Sequence, residues 1–166
     1  MLKNKIGIVG LGGIGGLLGI LLKKKKCTIS SNKQNDKEFI TLYLKSNFYG
    51  NLSAKIDTRS ELKDSKIIFI CSKYQFLKKH LKNIQNSEAI IVPFLNGISH
   101  FELLKKKFGN KVFISNIGKV VSKINKKNQI MHSSNNAPEV LISSKGKSTK
   151  DLQIIKKTLN KINIRV

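Results

Sequence analysis

The chain has 166 residues, 40% of them hydrophobic, with 32 Lys and Arg against 9 Asp and Glu and a net charge of +23. That length predicts one domain, residues 1–166, able to bury a core without disulfides. The charge points first to nucleic acid, yet only Arg59 and Arg165 are arginine and the lysines are spread along the chain, which excludes arginine-fork reading of bases or phosphates. Abundant Lys, Asn and Ile follow from an AT-rich coding sequence, and no aromatic residues interleave with the basic clusters. The expectation is a nonspecific, salt-sensitive attraction to polyanions and no specific nucleic-acid partner.

In chain order, Lys5–Val9 reads as a strand and Ile14–Lys24 as a helix. Between and into them runs Gly10-Leu11-Gly12-Gly13-Ile14-Gly15, which fits G-x-G-x-x-G. The spacing has a mechanical reason. Gly10 lets the chain turn off the strand, Gly12 lets a pyrophosphate approach the backbone, and Gly15 lets the helix pack closely on the strand. Free N–H groups and the helix dipole then favour the phosphate charge. The uncharged run Ile6–Leu22 holds seven glycines and ends in Lys23–Lys26. It is too short and glycine-diluted for a membrane span and has no small-residue cleavage site.

Cys27–Ser31 reads as a second strand, Asp36–Lys45 as a helix, and Asn47–Ser60 as a polar loop with a short strand at Ala54–Ile56. Lys66–Cys71 and Ala89–Phe94 are continuous apolar runs, the signature of strands buried on both faces. Between them, Tyr74–Asn83 has helical spacing with Phe76, Leu77 and Leu81 on one side. Ser99-His100-Phe101-Glu102 reads as a capping box before a helix over Phe101–Phe108, which Gly109 stops. Val112–Ser115 is a fifth strand. Lys119–Ile124, Gln129–Ser133 and Val140–Ser143 are short strands that extend the sheet edge in antiparallel fashion. Thr149–Leu159 is amphipathic, with Leu152, Ile155 and Leu159 on one face, and Ile162–Val166 reads as a closing strand.

This alternation predicts an α/β chain with a Rossmann-like, doubly wound, mainly parallel sheet and an antiparallel extension near the C-terminus. Cys27 and Cys71 match no metal spacing and read as buried free thiols. With no targeting segment evident, a cytoplasmic location is expected. His132 and His100 read as strand-end and helix-start residues, and His80 as lying on a solvated helix face. No Cys/His set has the spacing of a metal site.

Four segments together resemble the N-terminal domain of the ketopantoate reductase (2-dehydropantoate 2-reductase) family. They are the opening KIGIVGLGGIGGLL, Ile67–Gln75 with its Ser72-Lys73-Tyr74-Gln75, Phe94-Leu95-Asn96-Gly97, and Gln129-Ile130-Met131-His132. The resemblance implies NADPH-dependent reduction of a 2-oxo acid to a 2-hydroxy acid on the pantothenate and coenzyme A route. It places Gly10 to Gly15 on the pyrophosphate, Lys73 near the adenosine end, Asn96 beside the nicotinamide and substrate, and Val121 at a backbone contact to the coenzyme. Lys73 is also one of thirty lysines, and Asn96-Gly97 is also an ordinary turn pair.

Where the family often has an arginine for the ribose 2′-phosphate, this chain has Ser30-Ser31-Asn32-Lys33. No acidic residue stands there to take both ribose hydroxyls, so NADP is expected over NAD, with Asn32 and Lys33 as its contacts. In the family a helical second domain supplies the proton-donating lysine, a glutamate and most substrate contacts, and this chain stops at Val166, about where that domain would begin. The resemblance therefore implies a truncated piece, inactive or nearly so alone, whose catalytic residues are unknown. An uncovered apolar surface would favour pairing with a second copy or with a helical-domain partner. The alternatives are a non-catalytic nucleotide-binding module acting with a partner and another two-domain dehydrogenase, which Ser72–Gln75 argues against.

Overall fold

The computed structural model describes residues 5–23, 27–31, 38–58, 62–82, 84, 88–95, 97–143 and 145–166. The strands are β1 (Lys5–Val9), β2 (Cys27–Ser30), β3 (Phe39–Ser46), β4 (Gly50–Asp57), β5 (Ser65–Ile70), β6 (Ile90–Pro93), β7 (Ile114–Gly118), β8 (Ser122–Ile124), β9 (Gln129–His132) and β10 (Glu139–Ser143). The helices are α1 (Gly13–Leu21), α2 (Tyr74–Leu81), α3 (Ser99–Phe108) and α4 (Thr149–Asn160). Eight strands form one sheet in the order β6-β5-β1-β2-β4-β3-β9-β8, and β7 and β10 form a second, antiparallel pair. Neighbours in the large sheet are parallel except at β4–β3 and β9–β8.

The apolar runs of β1, β5 and β6 are continuous because both of their faces are covered. Ile6, Ile8, Ile67, Phe69 and Val92 pack with Leu17, Leu18 and Ile20 of α1 and Ile155 and Leu159 of α4. On the other face Val9, Ile68, Ile70 and Ile91 pack with Leu77 and Leu81 of α2 and Leu104 and Phe108 of α3. This is the doubly wound, Rossmann-like α/β arrangement. Among the described residues no helix is long and apolar enough to cross a membrane.

Several expectations are corrected. The stretch read as a helix over Asp36–Lys45 is strand β3 from Phe39 on, and most of the expected loop after it is β4. The two pair over eight positions from Phe39↔Asp57 to Ser46↔Gly50. In β3 Leu42, Leu44 and Ser46 are buried while Tyr43 and Lys45 are exposed, a period of two that a helix reading blurs because Phe39, Ile40 and Tyr43 are also apolar. The turn forms around Ser46, whose Oγ accepts from Phe48 N (3.1 Å) and Tyr49 N (2.9 Å), with Gly50 at φ +72. The capping box at Ser99 does not form. The helix starts at Ser99 itself, with Ile98 as N-cap and no side-chain cap bond, because the chain already turns helically through Ile98, whose carbonyl accepts from Phe101 N (2.9 Å).

Phe76 is 47% exposed, whereas His80 takes the buried place on α2 beside Leu77 and Leu81. Among the described residues the expected fifth strand joins the main sheet by one backbone bridge, Ile91↔Val112. Its regular ladder starts at Ile114 and pairs with β10, so β10 does not extend the large sheet. Ile162–Val166 makes a single bridge among the described residues, Glu139↔Arg165. Both cysteines are free thiols, and burial pushes Cys27 up to about 12, with the Asp57 carboxylate adding to it.

His80, His100 and His132 are all buried. Burial holds each below the ordinary value of 6.5, and the charge of Lys79 adds to this at His80. Each stays neutral in the fold, while its unfolded counterpart takes up a proton as the pH drops below about 6.5. Their contribution is therefore complete above that pH and is lost progressively below it, toward the folded pKa. The melting temperature is expected to fall between pH 7 and pH 5, and a flat profile across that window would contradict the burial of these rings.

Candidate functional site

The turn between β1 and α1 is built on close backbone approach. Gly10 has φ +99, its N–H donates to Ser30 O (2.8 Å), and a Cβ there would lie 2.8 Å from both N and Cα of Ser72. A Cβ on Gly15 would strike the Gly10 carbonyl oxygen and lie 3.3 Å from Cys71 Cβ. A Cβ on Gly13 would strike the Ser122 carbonyl oxygen. Gly12 differs from all three, because a Cβ there would meet none of the described residues within 4 Å.

That open side matters because of what lies next to it. Gly12 is the N-cap of α1 with no side-chain cap bond, and the first turn holds no acidic residue. The first intrahelical bond runs from Gly16 N to Gly12 O (2.8 Å), so the amides of Gly13, Ile14 and Gly15 precede it. Among the described residues these three donors are uncapped and the space at Gly12 is open, which with the positive helix end fits an anionic group such as a diphosphate.

The glycine turn sits at the carboxyl ends of β1, β5 and β6, which the register aligns at Val9↔Ile70 and Ile70↔Pro93. β2 lies on one side of β1 and β5 on the other, the switch point where open α/β sheets hold ligands. The loop after β5 forms one wall. Cys71 N donates to Val9 O (2.8 Å), Ser72 backs Gly10, and exposed Lys73 caps α2 beside exposed Tyr74. The loop after β6 forms another. Phe94 N donates to Ile70 O (2.8 Å), Ser115 Oγ donates to Pro93 O (2.7 Å), and Gly97 has φ +86. Beyond it Leu95, Gly97, Ile98, Ile114, Asn116 and Leu141 line an open cleft of about 490 Å³.

The structure thus brings Gly10–Gly15 and the loop carrying Lys73 together at one end of the sheet. Val121 precedes Ser122, whose Oγ donates to Gly13 O (3.0 Å). Its own N–H is engaged by Ser134 Oγ (2.8 Å) and its carbonyl accepts from Ser133 N (3.1 Å). A backbone contact from Val121 is therefore left to the second lone pair of its carbonyl. Asn32, Lys33 and Asn96 lie outside the described residues. The sequence reading missed Ser122 as a partner of Gly13, since the two are 109 residues apart and no motif links them. Among the described residues no group of three or more His, Cys, Asp and Glu could hold a metal ion.

A model of the family "Ketopantoate reductase PanE/ApbA" matches residues 6–145. No curated protein matches the chain in sequence. Among solved structures, 2-dehydropantoate 2-reductase from Geobacter metallireducens GS-15 superposes with a TM-score of 0.79 at 16% identity, covering 97% of this chain and 57% of that one. The enzyme of the same name from Methylococcus capsulatus gives 0.79 at 17%, covering 97% and 55%. D-mandelate dehydrogenase, solved with NADH and anilino(oxo)acetate, gives 0.74 at 22%, covering 97% and 56%. At these identities the likeness is one of fold, and the chain spans little more than half the length of these relatives.

Proposed function

Because the chain belongs to the ketopantoate reductase PanE/ApbA family, we propose that residues 1–166 form the dinucleotide-binding unit of an oxidoreductase that reduces a 2-oxo acid to a 2-hydroxy acid. The coenzyme is NADPH, and the setting is the pantothenate route in the cytoplasm, where the free thiols of Cys27 and Cys71 stay reduced. The observation that carries this reading is the open face at Gly12 beside the uncapped first turn of α1. The amides of Gly13, Ile14 and Gly15 hold the diphosphate, with Leu11 packing beneath it.

Lys73 offers its ammonium to the adenosine end. Lys33 and Asn32 follow buried Ser30 and Ser31 and take the 2′-phosphate, since no carboxylate stands there to repel it. Asn96 orients the nicotinamide and the substrate carbonyl through its amide. When bound, the coenzyme supplies a hydride. The apolar side chains around the open cleft, Ile98 at 83%, Ile114 at 53% and Leu141 at 73% exposed, favour pairing with a helical partner or a second copy. For that reason a module that binds nucleotide and acts only with a partner is the second reading.

The test is a melting series with NADPH and NADH. At a hundredfold excess over its dissociation constant, NADPH is expected to add about 2.7 kcal/mol of stability, with NADH weaker. These 166 residues alone are expected to show little or no turnover of a 2-oxo acid. No shift with either coenzyme would end the proposal, and brisk turnover by the isolated chain would overturn its second half.

A further inference from the structure

We propose that Ser122 and His132 are positioning residues for the coenzyme cradle: the β8–β9 pair clasps the first turn of α1 at Gly13, and a neutral Ser46–His132 contact holds that pair against β3. This rests on the reading of Gly10–Gly15 as a dinucleotide cradle. The clasp is direct, because the Ser122 carbonyl fills the space where Gly13 would carry a Cβ and Ser122 Oγ donates to Gly13 O (3.0 Å). Ser122 is the cross-strand partner of His132, and His132 is the cross-strand partner of Ser46. Residues paired in this way share a face of the sheet, here the one that α1 covers.

The Ser46–His132 bond has one direction. Ser46 Oγ already accepts from Phe48 N and Tyr49 N, so its own proton is the one facing His132 Nδ1 at 2.8 Å. Nδ1 is therefore the acceptor and Nε2 carries the ring proton. Nε2 is buried and has no hydrogen-bond partner among the described residues. A second proton, on Nδ1, would point an N–H at a hydroxyl that already takes two. It would also place a charge among groups that do not offset it. Among the described residues the titratable side chain facing His132 is the Tyr49 phenol, with ring centroids 5.7 Å apart, and its hydroxyl donates to Asn163 O (3.0 Å). Lys45 of β3 and Lys123 of β8 alternate onto the opposite face of the sheet, and α1 carries no charged side chain over Gly13–Leu21. Proton uptake at His132 therefore loosens β9 from β3, and β8 and Gly13 follow.

The experiment titrates the 166-residue chain with NADP⁺, which tolerates acid, at pH 7.5 and pH 5.5 in the parent, Ser122→Ala and His132→Asn. Asn keeps an acceptor toward Ser46 and cannot be protonated. S122A is expected to bind about fivefold more weakly at both pH values, the worth of one hydrogen bond. The parent is expected to lose affinity on acidification more steeply than H132N, and titration of the ligand phosphate is common to both. S122A binding within twofold of the parent, or H132N tracking the parent with pH, overturns the clasp. If the parent binds no coenzyme, the cradle reading fails instead. The clasp is then decided by NMR without nucleotide: the Gly13 amide resonance should move with the His132 titration in the parent and stay flat in H132N, and a Gly13 signal indifferent to His132 refutes it.

Discussion

Gly12→Ala should fold nearly as well as the parent and bind NADPH about 10- to 100-fold more weakly, the worth of one charge-assisted backbone bond. Gly12 has φ −116 and ψ −165, extended backbone that alanine adopts without strain, and the new methyl would meet none of the described residues within 4 Å. The cost to the fold is only the poorer N-cap, about 1 kcal/mol or less, so the melting temperature should drop by no more than about 4 °C. On the proposed function, the methyl instead occupies the space through which a diphosphate oxygen reaches the amides of Gly13 and Ile14. Thermal melting and a fluorescence titration read the two effects separately. Unchanged affinity would mean that no anion approaches the chain at Gly12.

Gly10→Ala should behave in the opposite way, costing about 4 kcal/mol of stability from backbone strain and overpacking together. The position has φ +99, and the added carbon would lie 2.8 Å from Ser72 N and Cα and 3.1 Å from the Cys71 carbonyl carbon. These are backbone atoms and cannot rotate away. Cys71 is tied to Val9 by its N–H, so the loop after β5 moves only if the β1–β5 register gives. Against a total of about 5–15 kcal/mol for a domain, the loss is large and should appear as a lower denaturant midpoint. A midpoint within error of the parent would refute the packing described for this turn. The same substitution two residues apart thus separates a glycine the fold needs from a glycine the ligand needs.

Much of this was legible in the chain itself. The run from Lys5 through Gly15 specifies its own geometry, because a strand, a positive-φ turn and a close helix contact each restrict the residues allowed. KIIFIC and the run Ala89–Phe94 read as two-faced strands because few other settings bury every residue in a row. The β3–β4 hairpin was not legible, since FITLYLK satisfies both a helical and an alternating pattern. His80 was misread because helical spacing placed Phe76 inside, whereas packing against β5 and β6 chose the neighbouring stripe.

Local glycine spacing and apolar period, then, were settled by the residues alone, because backbone sterics and burial act over a few positions at a time. Only the tertiary structure decided that β9 lies beside β3, that β10 leaves the large sheet for β7, and that Ser122 reaches Gly13. Strand pairing is a choice among distant partners with similar faces, and its outcome depends on which register buries the most surface and satisfies the most backbone groups at once.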